Sequence, residues 1–244
     1  MATTAPSFLR QKNARVLWDF DHTLISVNSD TWIPAQYGPV FKNLIDAGKA
    51  AGVPWTELMA RVAVSMYGED ITVAMISLSA AELPVEDAIL SAIRETAHAG
   101  VSQHIVSDAN SLYIKAFLKA RDLAPLFASI ATNPATISAE GCIMIAPAVP
   151  RETPHACPLC PPNLCKGGVI RARGWATDSG RTIYIGDGGG DECPSRALRK
   201  GDLVLARGGF PLASLLAQQP PAAAVLIWND AAALRAALAD AIKL

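Results

Sequence analysis

Apolar positions along the chain fall into two kinds of run. Arg15-Val16-Leu17-Trp18, Val101 to Val106, Ser129 to Thr132, Arg181 to Ile185, Leu203 to Ala206 and Ala224 to Trp228 are short stretches of strand length. Such stretches suit strands covered on both faces. Between many of them, apolar residues recur every three or four positions, which predicts helices over 85–99, 111–121 and 231–242 and another starting near 166–169. Gly100 and Pro125 punctuate the ends of the first two. Alternating strands and helices predict an α/β fold with a doubly wound parallel sheet.

Two segments break the rhythm. From Asp30 to Ala81 helical patterns follow one another with no strand between them, interrupted at Gly38-Pro39, Gly52 and Gly68. Ser29 or Asp30 is expected to cap the first helix, and Asp70 to open the last, over 71–81. The segment 29–82 therefore reads as a small all-α cap inserted after the first strand, with 1–28 and 83–244 forming the core. Between Asn133 and Pro150, residues Pro134, Gly141 and Pro147 suit a small hairpin better than a core strand.

Composition narrows the class. A chain of 244 residues, 51% hydrophobic, can bury a full α/β core, and its formal net charge of -1 provides no basic field for a nucleic-acid backbone. No run approaches membrane-spanning length, and Met1 to Ala14 contain no apolar stretch of signal-peptide length. These features lead us to expect a soluble, cytoplasmic protein whose partner is a small molecule; the oligomeric state is open. Five cysteines, three of them crowded at 157, 160 and 165, do not resemble a disulfide framework.

The chemistry gathers where strands end. Asp19-Phe20-Asp21-His22-Thr23 follows the first strand directly, and acids two apart on an extended chain point to one side. Alone, this could be a solvated acidic turn with Thr23 as a helix cap. Further along, Ser107-Asp108 follows the second strand, Lys166 opens a helix, and Gly186-Asp187 through Asp191 follows another strand. Ligands of open α/β sheets bind beyond the carboxyl ends of the strands, so one crevice can collect all four clusters. Phosphoryl transfer needs these residue types. Asp19 would attack phosphorus, Asp21 would serve as general acid and base, Lys166 would neutralise the phosphate and Ser107 would donate to a phosphoryl oxygen. Mg²⁺ would bind Asp19, Asp187 and Asp191, the last directly or through water.

In order, Asp19-x-Asp21-x-Thr23, Ser107, Lys166 and Gly186-Asp187-x-x-x-Asp191 resemble the four motifs of the haloacid dehalogenase superfamily of phosphatases. A nearer similarity is carried by Asn28-Ser29-Asp30, Ser107-Asp108-Ala109-Asn110, Cys157-Pro158-x-Cys160-Pro161-Pro162-Asn163-x-Cys165-Lys166 and Asp191-x-Cys193-Pro194. These resemble the phosphoethanolamine/phosphocholine phosphatase (PHOSPHO-type) family, whose relatives act on pyridoxal phosphate and thiamine monophosphate. The resemblance implies a Rossmann-like core, Mg²⁺ dependence and an aspartyl-phosphate intermediate, and places the backbone carbonyl of Asp21 among the metal ligands. It also implies that Asp30 and Asp108, with Asn110 beside them, face the substrate, the two acids meeting a cationic group. Asp30 equally suits a helix cap, and Asp108 an ordered loop. A phosphotransferase using the same intermediate, or a non-catalytic metal- or phosphate-binding regulatory module, are the alternatives; the second predicts a damaged catalytic group, and none is damaged.

The cysteine loop admits three readings. His155, Cys157, Cys160 and Cys165 match a Cys₃His zinc set, Cys157/Cys160 alone match a redox-sensitive pair, and a Pro-rich loop whose thiols only pack would still place Lys166. His22 is expected to point away from both aspartates, and His98 and His104 to pack or meet solvent.

Overall fold

The chain's computed structural model describes residues 14–243. The N-terminal stretch read above for a leader, and the first thirteen residues assigned to the core, lie outside the described residues.

Strand β1 (Arg15–Trp18) alternates its side chains between two buried layers. Val16 and Trp18 join one hydrophobic cluster and Leu17 joins the other, all fully buried. Four other strands repeat the device: β2 (Ser102–Asn110), β3 (Ser129–Asn133), β6 (Thr182–Gly186) and β7 (Leu203–Arg207) run parallel to β1, as does β8 (Ala224–Trp228), in the order β3-β2-β1-β6-β7-β8. Ile183 and Ile185 face the Trp18 layer while Tyr184 faces the Leu17 layer, the period of two that a doubly covered strand requires. The expected Rossmann-like, doubly wound parallel sheet is the fold. Its order reverses beside β1, because β2 lies on one side and β6 on the other, and this switch point is where such sheets open a crevice.

Helices cover both faces. Ile89 and Ile93 of α5 (Asp87–His98) and Leu234 and Leu238 of α10 (Ala231–Lys243) belong to the Trp18 layer, as do Ile114 and Phe117 of α6 (Ser111–Ala120). Ile170 of α7 (Lys166–Ala172) and Leu212 and Leu216 of α9 (Pro211–Gln218) belong to the other, with α8 (Glu192–Ala197) packed against α7. Inside the sheet, Gln103 satisfies the Trp18 indole N–H at 3.1 Å and donates to the Ile93 carbonyl at 2.9 Å, so a fully buried amide is paid for by its own bonds.

Between β1 and α5 lie four helices: α1 (Ser29–Ala35), α2 (Pro39–Ala50), α3 (Trp55–Gly68) and α4 (Val73–Ala81). Their buried residues, among them Ile33, Phe41, Leu58, Met66 and Ile76, are continuous with the Trp18 layer of the sheet. The antiparallel hairpin β4 (Ala135–Ile137) and β5 (Ile143–Ile145) packs against α3.

Several boundaries differ from the sequence reading for local reasons. The first cap is Asn28, not Ser29 or Asp30: its side chain accepts the Thr31 amide at 3.1 Å. Asp70 adopts a left-handed φ of 58°, and Thr72 caps α4 by accepting the Met75 amide at 3.3 Å. Strand β2 runs on to Asn110 because Thr132 and Asn133 of β3 donate to the Ala109 and Asp108 carbonyls, at 2.7 and 2.5 Å, across a register shift. Helices α8 and α9 are short and each contains a proline, so neither shows an amphipathic period in the sequence.

Candidate active site

The site is built by what happens as β1 ends. Asp19 donates its amide to the Ile185 carbonyl at 2.9 Å, which still follows the ladder, and then the chain folds into a wide turn over Phe20–Leu24 closed by the Ile25 amide on the Phe20 carbonyl at 3.0 Å. His22 takes the left-handed region at φ 54° to make the turn. Phe20 and Leu24 are buried beneath it, so the turn is anchored from below while Asp19 and Asp21 line a cavity of about 220 Å³ above. Arg207, at the end of β7, donates to the His22 carbonyl and stacks over Phe210 and Trp228 with its guanidinium carbon 4.5 and 5.1 Å from the ring centres. That contact ties the acidic turn to the neighbouring half of the sheet.

Lys166 is the cation of the site. Its Nζ lies 2.8 Å from Asp19 Oδ1, 2.8 Å from Asp191 Oδ1 and 3.8 Å from Asp108 Oδ1, with almost no solvent contact. Burial alone would push its pKa down, but the Asp19 and Asp191 carboxylates outweigh burial and hold the ammonium well above its ordinary value. Asp191 is the best-satisfied acid. Its Oδ1 accepts from Lys166 and from the Tyr184 hydroxyl at 2.8 and 2.5 Å, and its Oδ2 accepts the amides of Asp187 and Gly188 at 3.0 and 2.9 Å. Burial opposes ionisation there, yet Lys166 and these donors keep the pKa below the usual carboxylate value. The close approach requires a glycine at 186, where a Cβ would sit 2.6 Å from the Asp191 carboxyl carbon.

With both oxygens so engaged, Asp191 is placed to hold Lys166 and the Asp187-Gly188 backbone. Its carboxylate also lies with those of Asp19 and Asp187 in one group that could hold a metal ion.

Carboxylate oxygens of Asp19, Asp187 and Asp191 come within 4.8 Å of one another, all three residues buried. Against these stands one ammonium, which leaves two negative charges uncompensated. Asp19 Oδ1, despite its ion pair, receives no well-directed hydrogen bond. Burial first, and then the neighbouring Asp191 charge, raise the pKa of Asp19 well above the usual range and that of Asp187 to about 6. Asp187 Oδ1 accepts the Thr23 hydroxyl at 3.1 Å, so Thr23 orients an acid rather than capping a helix. Hard oxygen donors with a surplus of two charges suit a divalent cation such as Mg²⁺, and Asp19 and Asp187 are the acids free to hold it.

The other expected residues separate into those at the cavity and those beneath it. Asp21, Asp30 and Asp108 line it. Asp21 Oδ1 accepts the Ser29 amide at 2.8 Å, and burial, then Asp30, keep its pKa well above normal. Asp30 accepts the Trp55 indole N–H at 2.8 Å and the Asn110 amide at 3.4 Å, and burial pushes its pKa to about 7.

Ser107 and Asn110 lie behind the cavity wall. Ser107 is fully buried, off the cavity wall, and its oxygen accepts the Ala109 amide at 3.3 Å, which shapes the loop. Asn110 is also off the wall and caps α6, accepting the Leu112 and Tyr113 amides at 3.2 and 3.1 Å.

The sequence reading missed four contributors. Tyr184 is hidden in an apolar strand, and Trp55 reads as one more apolar position of α3, yet it lines the cavity and binds Asp30. His22 also borders the cavity, where its left-handed backbone turns the chain and its ring packs 5.5 Å from that of Phe210. The fourth is Cys193, brought to the cysteine loop by α8. The thiol atoms of Cys157, Cys160, Cys165 and Cys193 lie within 4.8 Å of one another. His155 does not join them. Its Nε2 faces the Pro161 carbonyl at 2.9 Å and its Nδ1 accepts the Cys157 amide at 3.3 Å, which overturns the Cys₃His set.

Comparison with known proteins agrees with this architecture. Residues 14–242 match the model of the family described as Putative Phosphatase. A thiamine phosphate phosphatase-like protein of Arabidopsis thaliana is 35% identical over 84% of this chain and 84% of its own length. Inorganic pyrophosphatase 2 of the same plant is 33% identical over 91% and 81%. The pyridoxal phosphate phosphatase PHOSPHO2 of Bos taurus is 34% identical over 88% and 92%. Among solved structures, a phospho-aspartyl intermediate analogue of phosphoserine phosphatase superposes with a TM-score of 0.60 at 14% identity, covering 93% of this chain and 98% of that one, a likeness of fold.

The protein is thus a phosphatase, a phosphoric monoester hydrolase with the haloacid dehalogenase fold. Within that class the chain belongs to the Putative Phosphatase family and is of the PHOSPHO type.

Proposed function

We propose that the protein is a Mg²⁺-dependent phosphatase that hydrolyses a small, cationic phosphomonoester through an aspartyl-phosphate on Asp19. The observation that carries this reading is the buried group of Asp19, Asp187, Asp191 and Lys166 at the switch point, with two negative charges in excess.

Asp19 and Asp187 would hold the ion, whose charge removes the repulsion between a carboxylate and a phosphate dianion. Lys166, fixed by Asp191, meets the phosphoryl oxygens from the other side. Asp19 attacks phosphorus; the bond from phosphorus to the substrate oxygen breaks, and Asp21 supplies the proton that the departing alkoxide takes up. Asp21, now ionised, accepts a proton from water as that water attacks phosphorus, the Asp19–phosphorus bond breaks, and inorganic phosphate leaves. A buried carboxyl with a raised pKa is suited to begin this cycle protonated.

Residues 29–82 act as a cap in this reading, since Asp30 and Trp55 from its helices reach the cavity. A cavity of about 220 Å³ bordered by Asp30 and Asp108 favours a compact alcohol bearing positive charge, of the phosphocholine, phosphoethanolamine or thiamine monophosphate kind, with pyridoxal phosphate as the aromatic counterpart. Asp191 and Ser107 then act by positioning, on Lys166 and on the 108–110 loop.

The test is phosphate release from these compounds and from pyrophosphate, with Mg²⁺, by the wild type and Asp19→Asn. The variant is expected to lose turnover by at least about a thousand-fold while keeping its fold by circular dichroism. Turnover comparable to wild type in a folded Asp19→Asn chain would sink the mechanism.

A further inference from the structure

The four thiols that converge behind Lys166 have no part in the chemistry above. Cys165 and Cys193 are buried, Cys157 and Cys160 partly so, and all are free thiols. Cys157 Sγ lies 3.5 Å from Cys193 Sγ, and Cys165 Sγ lies 3.8 Å from it. A tetrahedron with metal–sulfur bonds of about 2.3 Å has edges of about 3.8 Å, so these separations are those of ligands around one ion. Disulfide-bonded sulfurs lie near 2.0 Å, and four-fold convergence is not what pairing produces.

The surroundings fit as well. The Gly168 amide donates to Cys165 Sγ at 3.2 Å, and an Arg171 guanidinium nitrogen lies 3.8 Å from the same sulfur, the donors a tetrathiolate needs around its net negative charge. Gly167 has no room for a side chain: a Cβ there would lie 2.5 Å from Cys193 Sγ and 3.0 Å from its carbonyl. The backbone of α7 is therefore built closely around the fourth thiol.

We infer that Cys157, Cys160, Cys165 and Cys193 form a structural zinc site, closed by four thiolates and separate from the Mg²⁺ site. A soft, tetrahedral S₄ set selects zinc or iron, and a closed set with no open position is the structural kind. Loading is balanced by loss of protons: four thiols give up their hydrogens as four Zn–S bonds form, with no redox change. Its place in the fold gives it a task. Cys165 precedes Lys166 and Cys193 follows Asp191 by two residues, so the ion fastens together the two segments that present the Lys166–Asp191 pair.

The full chain, purified without chelators and passed through Mg²⁺-free buffer, is expected to carry one zinc per chain by elemental analysis. Cys193→Ser should lose it, whereas Cys142→Ser and Asp19→Asn should each retain one. Keeping the ion in Asp19→Asn separates this site from the phosphatase reading, whose failure would leave the zinc count untouched. Should Cys193→Ser not fold, two measurements on the wild type serve instead. Maleimide labelling should free four additional thiols only after chelation, and Co²⁺ supplied to the stripped chain should give sulfur-to-cobalt charge-transfer absorption with tetrahedral d–d bands. A chain without zinc whose thiols label freely and whose Co²⁺ spectrum lacks those bands would overturn the inference. So would iron in place of zinc, or zinc that survives in Cys193→Ser and is lost in His155→Ala.

Discussion

At the scale of single residues, the proposed mechanism divides the site between groups that would meet the substrate and groups that aim them. Asp19, Asp21 and Lys166 were legible in the sequence because each chemistry-bearing side chain follows a strand end or opens a helix. Their supports were not, since Tyr184 and Thr23 act through hydrogen bonds made far away in sequence, to Asp191 and Asp187. Asp30 is the residue whose two readings the geometry separates. Asn28 does the capping, and Asp30 is left buried at the cavity with a pKa near 7, held by the Trp55 indole. A neutral residue in its place should therefore act on selection. In Asp30→Asn we expect KM for a cationic substrate such as phosphocholine to rise about ten-fold, roughly 1.4 kcal/mol, while KM for p-nitrophenyl phosphate changes less than about two-fold. Steady-state kinetics on both compounds check this, and equal losses on the two would leave Asp30 a purely structural acid.

Elements carry the next level of control. Strand β2 delivers Asp108 to the cavity and then, at Asn110, hands the chain to α6 through a cap that also touches Asp30. The sequence showed the Ser107-Asp108-Ala109-Asn110 cluster at a strand end but not which members turn inward, because the register shift in β2 is set by side chains of β3. Asn110→Ala should cost about 1–2 kcal/mol of stability, the usual range for losing a helix cap with its buried bonds. Asn110→Ser, which can still cap, should recover most of it by chemical denaturation, with KM within about two-fold of wild type. A KM raised equally in both variants, at full stability, would instead make Asn110 a substrate contact. By the same logic the cysteine loop could be read only in part: spacing announced Cys157, Cys160 and Cys165, whereas Cys193 arrives from the far side of β6 on a helix too short to show a period.

Over the whole molecule, the doubly wound sheet was readable because β1, β6, β7 and β8 are nearly continuous apolar runs, and the alternation of β1, β6 and β7 between two buried layers leaves them no exposed face to pattern. What no sequence pattern contains is the electrostatic setting that burial creates. His104 shows it away from the catalytic end. It sits in β2 opposite Leu17, its ring 4.5 Å from that of Trp175 and its Nδ1 2.8 Å from the Ser129 hydroxyl. Burial, then the nearby Arg173 and Arg15 cations, lower its pKa from 6.5 to about 4. The unfolded chain therefore takes up this proton first as pH falls. The neutral ring's contribution is whole above about 6.5, is lost progressively toward pH 4, and changes no further below that. Buried acids with raised pKa values, such as Asp21 and Asp30, act in the opposite sense, so the total curve mixes signs. His104→Gln isolates the one term: thermal denaturation between pH 7.5 and 4.5 should show a shallower loss of stability on acidification in the variant than in wild type. Parallel curves would mean that His104 titrates in the folded protein as it does in the unfolded chain.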